Sequence, residues 1–211
     1  MLFDFDGPIC EVFSGLPASE VARSLVDVMR EFNMELSEEM EGMDFMDAIR
    51  ISPQGGEAAL RAVEERLVEA ELEAVKSAGD PTPGAVASLE AARASGRGVA
   101  IVSNNSAECV REFLAYHDLA SLVEEIVGRP ACQPHQLKPS PYMLLMSAAR
   151  LGAAPQGCTL VGDSVTDIEA AIAAESRSVG YANRPGKELS LAKAGADAVI
   201  GSMDVLADAL R

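Results

Sequence analysis

The feature that most limits the fold of this chain is the alternation of short apolar runs with segments of helical spacing. Six runs have the length and composition of β-strands, and helical patterns separate most of them. Parallel strands need crossover connections of this kind, so the alternation predicts an α/β fold built on a parallel sheet. The strand candidates are residues 2–5, 98–103, 125–127, 159–161, 178–181 and 198–200.

One interval breaks this alternation. Between the first and second strand candidates lie more than 70 residues that carry helical spacing and no strand pattern, with helical segments at residues 21–32, 37–50 and 57–77. We therefore predict a core domain of residues 1–12 and 81–211, with a small helical cap of residues 13–80 inserted after the first strand. Further helices are predicted at residues 83–94, 107–116, 141–151, 165–174 and 187–194.

The charge balance restricts the possible partners. The chain has a formal net charge of −16 and a pI near 4.4, whereas nucleic acids and anionic membranes attract clustered Lys and Arg, so we expect neither partner. Residues 11–80 contain 17 acidic and 6 basic residues, which we interpret mainly as a solvated helical surface. No apolar run approaches the roughly 20 residues of a membrane span, and no secretory leader is visible. The four cysteines lack CxxC spacing, so we expect a cytoplasmic protein with reduced thiols.

Polar residues stand near the ends of four predicted strands, where an open parallel sheet forms its ligand crevice. The first group is Asp4-Phe5-Asp6-Gly7, in which Asp4 directly follows apolar residues. A carboxylate in that position is costly unless it is paired or binds a metal. The alternative interpretation makes Asp6-Gly7 a turn and Asp4 an incidental residue at the strand end.

The second and third groups have structural alternatives as well. Ser103 is the last residue of the strand candidate at residues 98–103, and Asn104 follows it. A helix comes next, and Ser106 would be its ordinary N-cap. Lys138 stands just before another helix, and a surface lysine would serve there equally well. Neither group identifies a function when it is considered alone.

The fourth group follows the strand candidate at residues 159–161. Asp167 fits a capping box with Ser164, but capping does not explain Asp163. Together the four groups supply several carboxylates, a hydroxyl and a lysine to one edge of the sheet. Carboxylate oxygens are ligands that Mg²⁺ prefers. Bound Mg²⁺ and Lys138 would offset the charge of an anionic nucleophile that attacks a phosphate.

In their order along the chain, these groups resemble motifs I to IV of the haloacid dehalogenase superfamily, and the likeness covers nearly all 211 residues. The helical insertion and the tail at residues 189–200 resemble the subgroup that includes phosphoglycolate phosphatase and β-phosphoglucomutase. The resemblance implies a three-layer α/β/α Rossmann-like core with a parallel sheet of strand order 5-4-1-2-3 and a small helical cap. It also implies a small phosphorylated metabolite as the substrate.

The resemblance assigns chemical roles to the conserved motif positions of that family. Asp4 would be the nucleophile that forms an aspartyl-phosphate, and Asp6 would be the general acid and base. Ser103, with Asn104 beside it, would bind the phosphoryl group. Lys138 would neutralise the charge of the phosphoryl oxygens.

A Mg²⁺ site is implied at the same place. The carboxylates of Asp4 and Asp163 and the backbone carbonyl of Asp6 would hold the ion, and Asp167 would be a further carboxylate near it, either direct or through water. The chain departs from the family at Pro8, where Thr or Val is usual, and proline removes a backbone donor and stiffens this loop. Only three residues precede Asp4, which is short for a central strand and leaves open whether the natural chain starts further upstream.

Three functions fit this set of residues. The favoured one is hydrolysis of a phosphate monoester; the others are a sugar phosphomutase and a catalytically silent binding protein of the same fold. A mutase needs cationic groups in the cap, whereas this cap is acidic, although Arg50 is a candidate contact for a distal anionic group of the substrate. Dehalogenase activity is disfavoured because Asp6 is present. Phosphonatase activity is disfavoured because Lys76, at the hinge, is the only lysine of the cap.

Overall fold

The architecture is a parallel six-stranded sheet with helices on both faces, and the computed structural model describes it for residues 1–37 and 42–211. The strands are β1 (Leu2–Phe3), β2 (Ala100–Val102), β3 (Glu125–Val127), β4 (Thr159–Gly162), β5 (Arg177–Tyr181) and β6 (Ala198–Ile200). The helices of the described residues are α1 (Ala18–Glu31), α2 (Phe45–Ile51), α3 (Glu57–Val75), α4 (Ala85–Ala94), α5 (Ala107–Tyr116), α6 (Tyr142–Arg150), α7 (Val165–Ala173), α8 (Lys187–Ala194) and α9 (Met203–Leu210).

The order of the strands is β3-β2-β1-β4-β5-β6, and every neighbouring pair is parallel. The predicted order 5-4-1-2-3 is contained in this sheet. The sixth strand adds a pairing that the prediction did not include, because β6 extends the sheet beyond β5 through the register Val179↔Ala198. The short β1 lies at the centre, so its carboxyl end opens between those of β2 and β4.

Side chains that alternate along the central strands explain why helices cover both faces. Phe3 packs into one apolar cluster with α4, α5 and α9, whereas Leu2 packs into the other with α6 and α7. Both side chains are completely buried. The predicted three-layer α/β/α arrangement is therefore confirmed.

Helices α1, α2 and α3 form a separate apolar cluster around Leu25, Ile49 and Leu67. The division into a core and a cap of residues 13–80 stays a prediction. In the described residues from 42 onward, the helix predicted at residues 37–50 is represented by α2, which begins at Phe45 because the Asp44 side chain accepts a hydrogen bond from the backbone N–H of Asp47 at 2.8 Å. The part of that prediction on residues 38–41 lies outside the described residues.

The last helix, α9, has no counterpart among the predicted helices. Its N-cap is Ser202, whose hydroxyl accepts a hydrogen bond from the backbone N–H of Asp204 at 3.1 Å. Its apolar residues Met203, Leu206 and Leu210 recur at helical spacing and pack into the cluster that contains Phe3. This helix therefore closes one face of the sheet.

Two features bear on the expectations from composition. Within residues 1–37 and 42–211, no helix is both long enough and apolar enough to span a membrane. The four cysteines are free thiols, as expected. Burial raises the pKa of the Cys10 thiol, which lies close to the polar strand ends, and a protonated buried thiol is unreactive.

Candidate active site

Most of the predicted site residues line one cavity of about 190 Å³ at the carboxyl ends of β1, β2 and β4. A larger cavity, of about 430 Å³, lies at the opposite edge of the sheet, and none of the described residues that line it has a carboxylate side chain. Only the smaller one therefore offers the chemistry expected from the motifs. The predicted residues in its lining are Asp4, Asp6, Ser103, Asn104, Lys138 and Asp163, and they are joined by Phe45 and Met46 from α2.

Asp4 follows β1 and is 7% exposed. Its backbone N–H donates to the carbonyl of Val161 at 2.8 Å, which continues the pairing of β1 with β4 and fixes the start of the loop. Burial raises the pKa of the Asp4 carboxyl well above its usual range, and the charge of Asp167 adds to this effect, while Lys138 opposes it. Asp4 is thus a buried carboxylate with one strong partner, as expected because burying an unpaired carboxylate is costly.

Lys138 is that partner, and it is only 2% exposed. Its ammonium donates to Asp4 at 2.7 Å, to Asp167 at 2.5 Å and to the carbonyl of Val102 at 3.2 Å. Burial alone would lower the pKa of Lys138, but the charges of Asp167 and Asp4 outweigh it and raise the pKa. Lys138 is therefore a fixed, protonated cation at the floor of the cavity, which excludes the surface-lysine alternative.

Asp163 lies beside Asp4, and the carboxylates of Asp4, Asp163 and Asp167 each offer an oxygen within 4.8 Å of the others. The backbone of the first loop approaches Asp163 so closely that a Cβ on Gly7, which has φ +104°, would lie 2.5 Å from the Asp163 Cγ. Glycine is therefore required there. Three convergent carboxylates are a donor set that suits a hard divalent cation.

Asp167 differs from the other two carboxylates because both of its oxygens hold partners, whereas Asp4 and Asp163 each have partners on one oxygen. One accepts from Lys138 at 2.5 Å, and the other accepts from the Ser164 hydroxyl at 2.6 Å and from its backbone N–H at 3.0 Å. The predicted capping box at Ser164 is present. Asp167 therefore holds Lys138 in place and also completes the capping box at the start of α7.

Asp6 faces the cavity from the loop after β1. Its carboxylate accepts a hydrogen bond from the backbone N–H of Val12 at 2.9 Å. Burial raises the pKa of Asp6 to about 6, against the opposing effect of that hydrogen bond. A carboxyl group with this pKa exchanges protons near neutral pH, as a general acid and base must.

The loop after β2 is tied to Lys138. Ser103 donates its hydroxyl hydrogen to the Asn105 side chain at 3.1 Å, and the Asn104 side chain accepts from the backbone N–H of Lys138 at 2.9 Å. Ser106 caps α5, as its alternative interpretation predicted, by accepting from the backbone N–H of Cys109. In this loop Ser106 therefore caps the helix, whereas Ser103 and Asn104 line the cavity.

A buried ion-pair network behind this loop was missed by the sequence analysis. Arg129, which follows β3, donates to both oxygens of Glu71 at 2.6 and 3.2 Å and to Glu64 at 2.5 Å, and both acids belong to α3. Glu71 also accepts from the Asn105 side chain at 3.2 Å and from the backbone N–H of Ser106 at 3.0 Å. These two glutamates are therefore not part of a solvated surface, and they join α3 to the loop that carries Ser103.

We expect Glu71→Gln to lower the free energy of unfolding by about 3 kcal/mol, because it removes the main counter-charge of a buried guanidinium. Glu71 is 0% exposed and Glu64 is 7% exposed, and one oxygen of Glu64 has no hydrogen-bond partner among the described residues. Glu64→Gln should therefore cost only about 1 kcal/mol. Urea denaturation of the two matched variants measures the difference, and equal losses would contradict it.

Two further side chains depart from expectation. Arg50, the candidate contact for a distal anionic group, pairs with Asp47 at 2.9 Å and donates to the carbonyl of Lys138 at 3.3 Å, and it does not line the cavity of about 190 Å³. Lys187, at the start of α8, forms an ion pair with Asp163. The sequence pattern indicates Lys187 only as the start of a helix, and its place at a strand-to-helix junction is the available signal for a role at the site.

Comparison with known proteins agrees with this geometry. The sequence model for haloacid dehalogenase-like hydrolases matches residues 1–181. Phosphoglycolate phosphatases of Salmonella paratyphi A and Escherichia coli K12 are 36% identical over 124 residues, which cover 58% of this chain and 48% of theirs. The chain thus spans about half the length of the curated relatives it matches.

Solved structures resemble the whole chain. A haloacid dehalogenase family hydrolase from Deinococcus radiodurans R1, with bound phosphate and sodium, has a TM-score of 0.65 at 26% identity and covers 99% of this chain and 93% of its own. A β-phosphoglucomutase from Clostridium difficile has a TM-score of 0.70 at 22% identity, over 97% and 91% of the two chains, and shares the fold. The chain belongs to the family of haloacid dehalogenase-like hydrolases.

Proposed function

We propose that the protein is a Mg²⁺-dependent phosphatase that hydrolyses a small phosphorylated metabolite through an aspartyl-phosphate on Asp4. The observation that carries the proposal is the buried ammonium of Lys138, held 2.7 Å from Asp4 in a cavity that Asp6 and Asp163 also line. Such a cation lowers the cost of bringing a phosphate dianion to a carboxylate. The phosphatases among the relatives support the same reaction class.

The proposed reaction has two steps. In the first, an Asp4 oxygen attacks phosphorus, the bond from phosphorus to the leaving oxygen breaks, and that oxygen takes the proton of Asp6. In the second, Asp6 takes a proton from water, the water oxygen attacks phosphorus, and the bond to Asp4 breaks to release inorganic phosphate. Lys138 and Ser103 contact the phosphoryl oxygens throughout.

The residues of this site fit the proposed metal ion. Asp4 and Asp163, with the backbone carbonyl of Asp6, would hold Mg²⁺, and Asp167 would act directly or through water. When bound, Mg²⁺ supplies positive charge that offsets the repulsion between the Asp4 carboxylate and the phosphate. The support for this assignment is the set of three carboxylates within 4.8 Å, together with the glycine at position 7 that admits Asp163.

A phosphate-release screen tests the proposal. It should include short hydroxy-acid phosphates first, because two of the relatives are phosphoglycolate phosphatases, followed by sugar and nucleotide phosphates. We expect release of phosphate in Mg²⁺ and loss of at least about 90% of it in excess chelator, with recovery on adding Mg²⁺ back. A bisphosphate intermediate that gives an isomer without phosphate release would instead identify a phosphomutase. No turnover of any ester would favour a silent binding protein.

Asp6→Asn provides a test of the proposed acid that does not depend on the substrate. The pKa of Asp6 in the folded protein is raised to about 6, so its charge destabilises the fold at pH values above that pKa and has no effect below the unfolded pKa of about 4. We expect Asp6→Asn to raise the free energy of unfolding by about 2 kcal/mol at pH 7 and by about half as much at pH 5. Urea denaturation in chelator measures both values, and a pH-independent effect would contradict the assignment.

A further inference from the structure

A third cavity, of about 380 Å³, adjoins the cavity of about 190 Å³ at the candidate active site. We call them the side cavity and the catalytic cavity. They share Asp6, Asp163 and Phe45 in their linings, and the side cavity continues to Arg184 and Lys187. Its wall comes from the loop after β1 on one side and from the start of α8 on the other. The part of the side cavity beyond Asp6 and Asp163 has no role in the steps described above.

The position of Asp6 indicates what the side cavity would hold. The catalytic cavity has a volume of about 190 Å³, which suits a phosphoryl group but leaves little room for the rest of a substrate. Asp4, the proposed nucleophile, lines the catalytic cavity and not the side cavity, whereas Asp6 lines both. A general acid must lie within hydrogen-bond reach of the leaving oxygen. The leaving group therefore extends past Asp6 and into the side cavity.

The cations of the side cavity indicate the chemistry of that leaving group. Arg184 reaches Glu11 at only 3.9 Å, and both side chains are more than half exposed, so this pair is weak and easily exchanged. Lys187 pairs with Asp163, but Asp163 is also a ligand in the proposed magnesium site. When that carboxylate serves the metal, the ammonium of Lys187 can turn to another anion.

Arg184 and Lys187 are the two cationic side chains in the described lining of the side cavity, and Asp6, Glu11 and Asp163 are its acidic side chains. Asp6 and Asp163 have roles in the proposed reaction, and Glu11 has only the weak pair with Arg184. The two cations can therefore serve a ligand that reaches past Asp6.

We propose that the side cavity binds an anionic group on the leaving portion of the substrate, and that Lys187 and Arg184 provide its positive charge. The inference rests on the proposed phosphatase function and adds a specificity to it. The anionic group is a carboxylate or a second phosphate, and both have the chemistry that an ammonium and a guanidinium recognise. The acidic cap is then not required to supply this contact, and Arg50 is free to remain on Asp47.

Paired esters test the inference. One pair is 2-phosphoglycolate and 2-hydroxyethyl phosphate, which differ in a carboxylate, and the other is glucose 1,6-bisphosphate and glucose 1-phosphate, which differ in a phosphate. For each pair we compare the kcat/KM of the ester that has the additional anionic group with the kcat/KM of the ester that lacks it, as a ratio. We expect Lys187→Met and Arg184→Met to lower the ratio by about tenfold or more in one pair, because each removes a charge-assisted hydrogen bond. The pair that responds identifies the anion.

The control is Lys193→Met, which removes an exposed lysine of the same helix and should leave both ratios unchanged. If Lys187→Met slows the two esters of each pair equally, Lys187 acts only through Asp163 and the inference is wrong. Calorimetric binding of 2-phosphoglycolate and glucose 1,6-bisphosphate to the Asp4→Asn protein supplies a readout without turnover. Weaker binding of one of them after adding Lys187→Met supports the inference even if the protein is not a phosphatase, and unchanged binding of both overturns it.

Discussion

Asp4→Asn is expected to lower kcat by on the order of 10⁴-fold while the protein stays folded, because the substitution removes the atom that attacks phosphorus in the proposed reaction and little else. Asn has the shape of Asp and can still accept the hydrogen bond that Lys138 donates. Burial raises the pKa of Asp4, so its charge is unfavourable in the folded state at neutral pH. The variant should therefore be at least as stable as the natural protein at pH 7. Initial rates of phosphate release and urea denaturation at the same pH measure the two effects.

A matched control separates chemistry from charge removal. Asp197→Asn removes a carboxylate that accepts a hydrogen bond from the backbone N–H of Ser178 at 2.7 Å, in a position remote from the cavity. Its kcat should stay within about twofold of the original, whatever its stability. Acid quenching of the active protein during turnover should also leave a phosphoryl group on the peptide that contains Asp4. Retention of more than about a tenth of kcat in Asp4→Asn would exclude Asp4 as the nucleophile.

The fold could be predicted from the sequence because a parallel α/β sheet has a strong local signature. The helices at residues 107–116 and 187–194 have the predicted bounds, since Ser106 caps the first and Gly195 ends the second. A capping side chain sets a boundary more exactly than the apolar pattern does. Within the described residues, α2 illustrates this, because it begins at Phe45 directly after its N-cap Asp44.

The central part of the site could also be predicted, for a topological reason. Asp4, Ser103 and Asp163 each follow a strand, and the carboxyl ends of neighbouring parallel strands must meet at one edge of the sheet. Knowledge of the strand order is sufficient to bring them together. Lys138 reaches the same edge from a loop, and its burial could not be deduced from strand ends alone.

The rest of the site depends on pairings that no local pattern encodes. Arg129 and Glu71 are 58 residues apart in the chain, and Glu71 belongs to a segment whose acidic composition indicates a solvated face. Arg50 pairs with Asp47, a contact that the sequence pattern does not indicate, and its proposed contact with the substrate stays a prediction. Lys187 meets Asp163 only because β4 and β5 are neighbours. Such contacts are decided by packing and rotamers, so they become visible only in three dimensions.

The same buried charges link stability with function in this protein. Asp4 and Asp167 share one ammonium, and the desolvation of both carboxylates is offset mainly by Lys138. A partly offset carboxylate is poised to bind a cation or to attack phosphorus, but it costs folding free energy. Removal of the shared cation should therefore have a larger effect on stability than removal of either carboxylate.

Lys138→Met tests this link. The substitution leaves Asp4 and Asp167 buried without their shared cation, so we expect the free energy of unfolding to fall by about 3 to 5 kcal/mol at pH 7 and kcat/KM to fall on the order of 10³-fold. The loss of the ammonium raises the folded-state pKa of Asp4 further, so part of the stability lost at pH 7 should be regained as the pH falls and Asp4 protonates. Adding Asp4→Asn to Lys138→Met should restore part of the stability and none of the activity, since one uncompensated charge is removed.

Urea denaturation in chelator from pH 5 to pH 8 measures these differences. Lys193→Met is the surface control, and its stability should stay within about 0.5 kcal/mol of that of the original protein. A Lys138→Met protein with unchanged stability and unchanged pH dependence would show that the ammonium does not compensate the two carboxylates.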